Sequence, residues 1–193
     1  MFSRTLLLAL SLSATFLCRC SVPDQAFAAP WTGVFFSPES NLEMVDLDVL
    51  RQATKTLDIA MYAFTDKKVA AELVALANRG VHIRIYRDRT QIKDRGDVTA
   101  LLRGVPNIEI LVKDNLFWNI MHLKGYCVDN TVVRLGSANW SPTGEGSNCY
   151  HGSCGHAEQQ DNEILVTSDP AVVSSFERTF SRIWARSTNR SPS

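Results

Sequence analysis

The sequence has no long apolar run, no excess charge of one sign, no internal repeat and no low-complexity block. Its 20 Lys and Arg balance 20 Asp and Glu among 193 residues, which excludes a polybasic protein that coats nucleic acid. Hydrophobic residues make up 45%, enough to build a core, so a disordered chain and a coiled coil are also excluded. The length suits one domain. The longest apolar stretch, residues 5–17, has 13 residues and falls short of the roughly 20 that a membrane-spanning helix needs. Arg4 precedes that stretch, a polar segment follows, and Ala26-Phe27-Ala28 offers small residues for cleavage before Ala29. Residues 1–28 are therefore expected to be a signal peptide and the rest periplasmic or secreted, with an uncleaved membrane anchor as the alternative. Loss of Arg4, Arg19 and Asp24 would leave 18 basic and 19 acidic residues. Cys127, Cys149 and Cys154 would then face an oxidising compartment.

What is present is an alternation of strand-like and helix-like segments. Strands are expected at 34–37, 57–64, 81–86, 108–112, 121–128, 131–135 and 162–167. Helices are expected from Ser40 or Asn41 to about Thr56, from Thr65 or Asp66 to Gly80, over 98–102 and over 170–185. Asp129-Asn130 is a good tight-turn pair. Residues 141–161 read as a loop and 187–193 as a disordered tail. The order implies an α/β fold: one catalytic domain over 29–193, its core about 33–186, with a mixed β-sheet and helices on both faces.

The informative segment is MHLKGYCVDNTVVRLGSANWS, residues 121–141. His122 and Lys124 are two apart on an expected strand, so both side chains share a face, while Leu123, Gly125 and Cys127 turn to the core. Ser137 and Asn139 are also two apart, just past the next strand, and Gly136 permits close approach of a ligand to the backbone. Pairing of the strands would gather an imidazole, an ammonium, a hydroxyl and an amide into one patch. There is no local carboxylate pair. Such a patch suits a phosphate diester: Lys124 and Asn139 hold non-bridging oxygens, and a neutral His122 attacks phosphorus.

His122-x-Lys124, four residues, Asp129, six residues, Gly136-Ser137-x-Asn139 resembles the HxK(x)4D(x)6GSxN motif of the phospholipase D superfamily at every position and spacing. The single copy resembles the small bacterial endonucleases and the cardiolipin hydrolases of that superfamily. The resemblance implies a phospholipase D-like fold with His122 as a nucleophile that becomes a phosphohistidine. Lys124 and Asn139 would bind the phosphate, with support from Ser137, and Asp129 would stabilise its turn. It implies no metal and no other cofactor. Family members carry a carboxylate on the next strand, and Glu163 fits that place, where it would orient His122. His82, His151 and His156 are not followed by x-Lys. The second imidazole, which protonates the leaving oxygen, would thus come from a second copy in a homodimer with the active site at the subunit interface.

Other residues stay open. Cys149 and Cys154 are expected to form a disulfide, to bind zinc with His151 and His156, or to remain thiols. Phe117, Trp118, Ile120 and Met121 would pack in the core or interface, or touch bases or acyl chains. Arg87, Arg89, Lys93 and Arg95 form a basic run that borders a polyanion groove or is a solvated loop face. The leading functional expectation is an exported, non-specific endonuclease. The alternatives are a phospholipase D acting on phospholipid headgroups and a non-catalytic phosphate-binding dimer.

Overall fold

The computed structural model describes residues 30–114, 119–147 and 160–192, together with the backbone of 149–150 and 153–154. The leader, Phe117 and Trp118, His151 and His156, and the side chains of Cys149 and Cys154 lie outside the described residues.

An eight-stranded mixed sheet organises the chain. It contains β1 (Thr32–Ser37), β2 (Thr56–Met61), β3 (His82–Asp88), β4 (Ile108–Lys113), β5 (Lys124–Val128), β6 (Val132–Gly136), β9 (Asn162–Thr167) and β10 (Asn189–Arg190), in the order β1-β9-β6-β5-β2-β3-β4-β10. A two-residue ribbon, β7 (Cys149–Tyr150) against β8 (Ser153–Cys154), lies within the expected loop and sets the backbones of Cys149 and Cys154 opposite each other. Strands β2, β3 and β4 run parallel, and the remaining pairs are antiparallel. Helices α1 (Leu42–Leu50), α2 (Lys67–Asn78) and α3 (Thr99–Leu102) pack on one face with Leu57, Ile59, Ile83, Tyr126 and Ile164. Helix α4 (Pro170–Trp184) covers the other face, where Val173, Phe176, Phe180 and Ile183 meet Ala60, Cys127 and Val133. Central strand β2 is buried on both faces, which is why TLDIAM reads as an apolar run. Its one acid, Asp58, pairs with Arg84 of β3, whose guanidinium stacks over Phe180 and Trp184 of α4 at 5.1 and 5.5 Å.

Asn41, Asp66 and Asp169 supply the N-caps. Helix α1 stops at Leu50 and does not reach Thr56, because the N–H groups of Thr54, Lys55 and Thr56 are taken by the Asp129 carboxylate. The tail is not disordered over 189–190. Asn189 Nδ2 donates to the C-terminal carbonyls of Ile183 and Trp184, each at 2.8 Å, and its Oδ1 accepts from Tyr86 at 2.8 Å. This caps α4 and seats β10 on β4. The basic run also resolves differently from a groove at its first two members. Arg87 is buried and paired with Asp97, and Arg89 is paired with Asp114.

Candidate active site

All motif residues except Asp129 gather at one end of the sheet, where β5 begins, β6 ends and β9 begins. Strand β5 starts only at Lys124, because Met121 N–H leaves the ladder to donate to Asp88 Oδ2 at 2.6 Å. Asp88, fully buried at the end of β3, thereby fixes the residue before His122. Tyr62, just past β2, donates its N–H to Leu123 O at 3.0 Å and turns its ring edge to His122, with centroids 4.6 Å apart. The same ring lies 5.2 Å from Lys124 Nζ.

His122 and Lys124 do meet on one side of the chain. Lys124 Nζ is 3.0 Å from His122 Nε2 and donates to His122 O at 2.9 Å. An ammonium only donates, so Nε2 must present a lone pair; the contact describes the neutral imidazole with its proton on Nδ1. Burial and then the Lys124 charge push the His122 pKa down, against the opposing pull of Asp88. Burial and Arg134 likewise lower the Lys124 pKa. The first direction favours an unprotonated imidazole, while the second opposes the Lys124 charge.

Asn139 Oδ1 accepts from Ala63 N–H at 3.1 Å, which orients its amide nitrogen away from that backbone. His122, Lys124, Gly136, Ser137, Asn139 and Glu163 line one open pocket. Within it the Glu163 carboxylate accepts from Ser137 Oγ at 2.6 Å, and Glu163 N–H donates to the same hydroxyl at 3.1 Å. No hydrogen bond joins Glu163 to His122 among the described residues; its carboxylate is held by the Ser137 hydroxyl. Gly136 lines that pocket and also serves packing. A Cβ there would lie 2.2 Å from Glu163 O, so the missing side chain lets β9 pack against the turn and brings Glu163 to the site.

Asp129 and Asn130 both have positive φ, 50° and 55°, as a two-residue hairpin of mirror-image type requires. The Asp129 carboxylate accepts from the N–H groups of Thr54, Lys55 and Thr56 at 2.8 Å each and from Thr54 Oγ1 at 2.7 Å. It therefore ties the hairpin to the start of β2. Burial opposes its ionisation, but these donors outweigh burial and hold the carboxyl below its usual range. A depressed folded-state pKa gives stability that is present above the unfolded value of about 3.9 and is lost as pH falls through the folded value. Asp129→Ala is expected to cost about 2–3 kcal/mol at pH 7 and much less at pH 3. Urea melts at the two pH values check this, and a loss independent of pH would contradict it.

Two positioning residues gave little signal in the sequence. Arg134, fully buried in β6, makes a paired contact with Asp46 of α1, its Nε and one terminal nitrogen at 3.1 Å from the two carboxylate oxygens. It also donates to Lys124 O and Ala138 O, each at 3.1 Å. One guanidinium thus clamps the strand bearing Lys124 to the turn bearing Ser137 and Asn139. A lone arginine in an apolar strand between the motif halves was the available clue. Among the described residues, no group of three or more His, Cys, Asp or Glu is placed to hold a metal ion.

Comparison with known proteins agrees with this geometry. Mitochondrial cardiolipin hydrolase of Homo sapiens is 30% identical over 139 residues, covering 72% of this chain and 49% of that protein. The Chlamydomonas reinhardtii protein of the same name is 28% identical over 138 residues, covering 72% and 55%. The chain thus spans about half the length of these curated relatives. NucT from Helicobacter pylori shares the fold with a TM-score of 0.68 at 21% identity, over 79% of this chain and 94% of that one. Nuc from Salmonella typhimurium, described as a phospholipase D family member, gives 0.67 at 24%, over 84% and 98%. Residues 47–184 match the family described as cardiolipin synthase, PLD-like domain. The chain belongs to the phospholipase D superfamily.

Proposed function

We propose that this enzyme is a metal-independent, non-specific endonuclease that acts outside the cytoplasm as a homodimer. The observation that carries the reaction is the contact between Lys124 Nζ and the His122 Nε2 lone pair, in a pocket shared with Ser137 and Asn139. When a diester enters, Lys124 exchanges the imidazole for a non-bridging oxygen, with the Asn139 amide at its side. His122 Nε2 then forms a bond to phosphorus as the bond to the leaving oxygen breaks. The leaving oxygen takes a proton from the imidazolium of the second copy's equivalent histidine. Water then attacks the phosphohistidine, gives its proton to that now neutral imidazole, and frees His122. Every contact is to phosphate, so no base is read.

The dimer finds support in the exposed mouth and its apolar rim. Phe36 is 56% exposed, in register with Glu163 on edge strand β1, and Val34 is 49% exposed beside it. A second copy seated there would cover both. Active protein that sediments as a monomer would remove this part of the proposal.

A second reading, hydrolysis of phospholipid headgroups, is favoured by a different observation. On the α4 side of His122, a cleft of about 380 Å³ is lined by Leu123, Leu135, Val172 and Phe176 and has room for apolar chains. Incubation with single-stranded DNA, RNA and phospholipid vesicles in EDTA separates the two. Cleavage of nucleic acid in chelator is expected; headgroup release without it would replace the first reading by the second.

A further inference from the structure

Eight cations of the described residues are committed to carboxylates. Arg51 and Arg79 meet Glu72, Arg84 meets Asp58, Arg87 meets Asp97, Arg134 meets Asp46, Lys68 meets Glu43, and Arg89 and Arg190 share Asp114. Three cations outside the catalytic pocket share a single cleft without a carboxylate partner among the described residues. They are Lys113 at the end of β4 and Arg182 and Arg186 at the end of α4, and His122 lines the same cleft of about 370 Å³. Thr179 and Arg182, three apart on α4, share a helix face, and Arg186, just past the Ala185 C-cap, lines the same cleft.

The grouping is electrostatically costly as it stands. Lys113 Nζ has the Ile120 carbonyl at 3.2 Å, and Arg186 lies against the Tyr86 hydroxyl. Burial and the nearby Arg186 charge both lower the Lys113 pKa. Asp88, the carboxylate that offsets them, is already bonded to Met121 N–H and to the Thr90 N–H and hydroxyl. The C-terminal dipole of α4 favours Arg182 and Arg186 but does not explain Lys113, which belongs to another element. An anion in the cleft would relieve the repulsion among all three.

We propose that Lys113, Arg182 and Arg186 form a second phosphate site that holds the phosphate next to the scissile one along a polynucleotide strand. This rests on the nuclease reading above. The site grips the backbone and not the base, so it adds affinity and processive contact without sequence preference. It also supplies a local basic face that a balanced net charge conceals.

The test compares two substrates that differ in flanking phosphates: a single-stranded oligonucleotide, and bis(p-nitrophenyl) phosphate, which has none. The triple variant Lys113→Ala/Arg182→Ala/Arg186→Ala is expected to raise KM for the oligonucleotide by on the order of 10–100-fold. It should lower kcat/KM for the oligonucleotide at least about tenfold more than for the aryl diester. Loss of this one phosphate contact should also flatten the plot of log KM against log salt by about 0.7, the slope per single-strand phosphate. Arg182→Lys/Arg186→Lys keeps the charges and should retain most of the affinity. Equal losses on both substrates, or an unchanged oligonucleotide KM and salt slope, would overturn the site while leaving the nuclease reading intact. Wild-type turnover of the aryl diester or of vesicles with no cleavage of the oligonucleotide would overturn both.

Discussion

His122→Ala is expected to reduce turnover of every phosphodiester by on the order of 10⁴–10⁶-fold, the range found when a covalent nucleophile is removed. Stability should change by less than about 0.5 kcal/mol, because the imidazole is exposed and its side-chain contacts are limited to the Tyr62 ring and Lys124 Nζ. Acid quenching of wild-type turnover should trap an acid-labile phosphoenzyme, and the variant should trap none. Residual activity within tenfold of wild type would remove His122 from the reaction. Glu163→Gln should cost far less, about 10–100-fold, because its carboxylate touches Ser137 and not the attacking nitrogen. The pH profile follows from the direction of the His122 shift. Its lowered pKa keeps the attacking imidazole neutral below its usual value near 6.5, so the acid limb of kcat/KM should lie below that pH. The alkaline limb would belong to the imidazolium of the second copy. In the proposed dimer the two titrations would be coupled across the shared phosphate, so both limbs would describe the pair.

The candidate site was legible in sequence because its motif residues are packed into eighteen positions. Strand alternation pairs His122 with Lys124 wherever the rest of the chain goes, and the Asp129-Asn130 turn forces β5 and β6 together. The sheet with helices on both faces was legible for a related reason: β2 and β3 read as apolar or alternating runs, and asparagine or aspartate marks each long helix start. What could not be read depends on partners distant in the chain. Gly136 read as room for a ligand, and nothing local showed that it also admits the β9 backbone, 27 and 28 residues further on. Arg87 and Arg89 looked like a basic surface until the fold supplied Asp97 and Asp114. Lys113, Arg182 and Arg186 are scattered along the sequence and become one cleft only when α4 lies beside the end of β4. Asn189 reads as part of a polar tail, and its role as the cap of α4 appears only once Tyr86 is seen beneath it.

Asp46→Ala is expected to destabilise the fold by about 3–5 kcal/mol, a large share of the roughly 5–15 kcal/mol that holds a domain together. Both carboxylate oxygens are fully enclosed. One accepts from Arg134 Nε and the Tyr126 hydroxyl at 3.1 and 3.0 Å, the other from Arg134 and Trp140 Nε1 at 3.1 and 2.8 Å. Removing it strands a buried guanidinium and two neutral donors, and a lower urea midpoint reads out that cost. Removing both charges separates stability from positioning. Asp46→Leu/Arg134→Met eliminates the unpaired charge and should recover part of the lost midpoint, with the Tyr126 hydroxyl and Trp140 Nε1 still without their acceptor. Activity should not recover with it. Arg134 also joins Lys124 O to Ala138 O, and methionine can donate to neither carbonyl, so the ammonium and the Asn139 amide lose their common anchor. The double variant is therefore expected to be folded yet at least about tenfold slower in kcat, since small displacements of positioned groups are costly. If it proves as active as wild type, Arg134 contributes to the fold alone, and the geometry of the phosphate pocket must be set by the strand ladders.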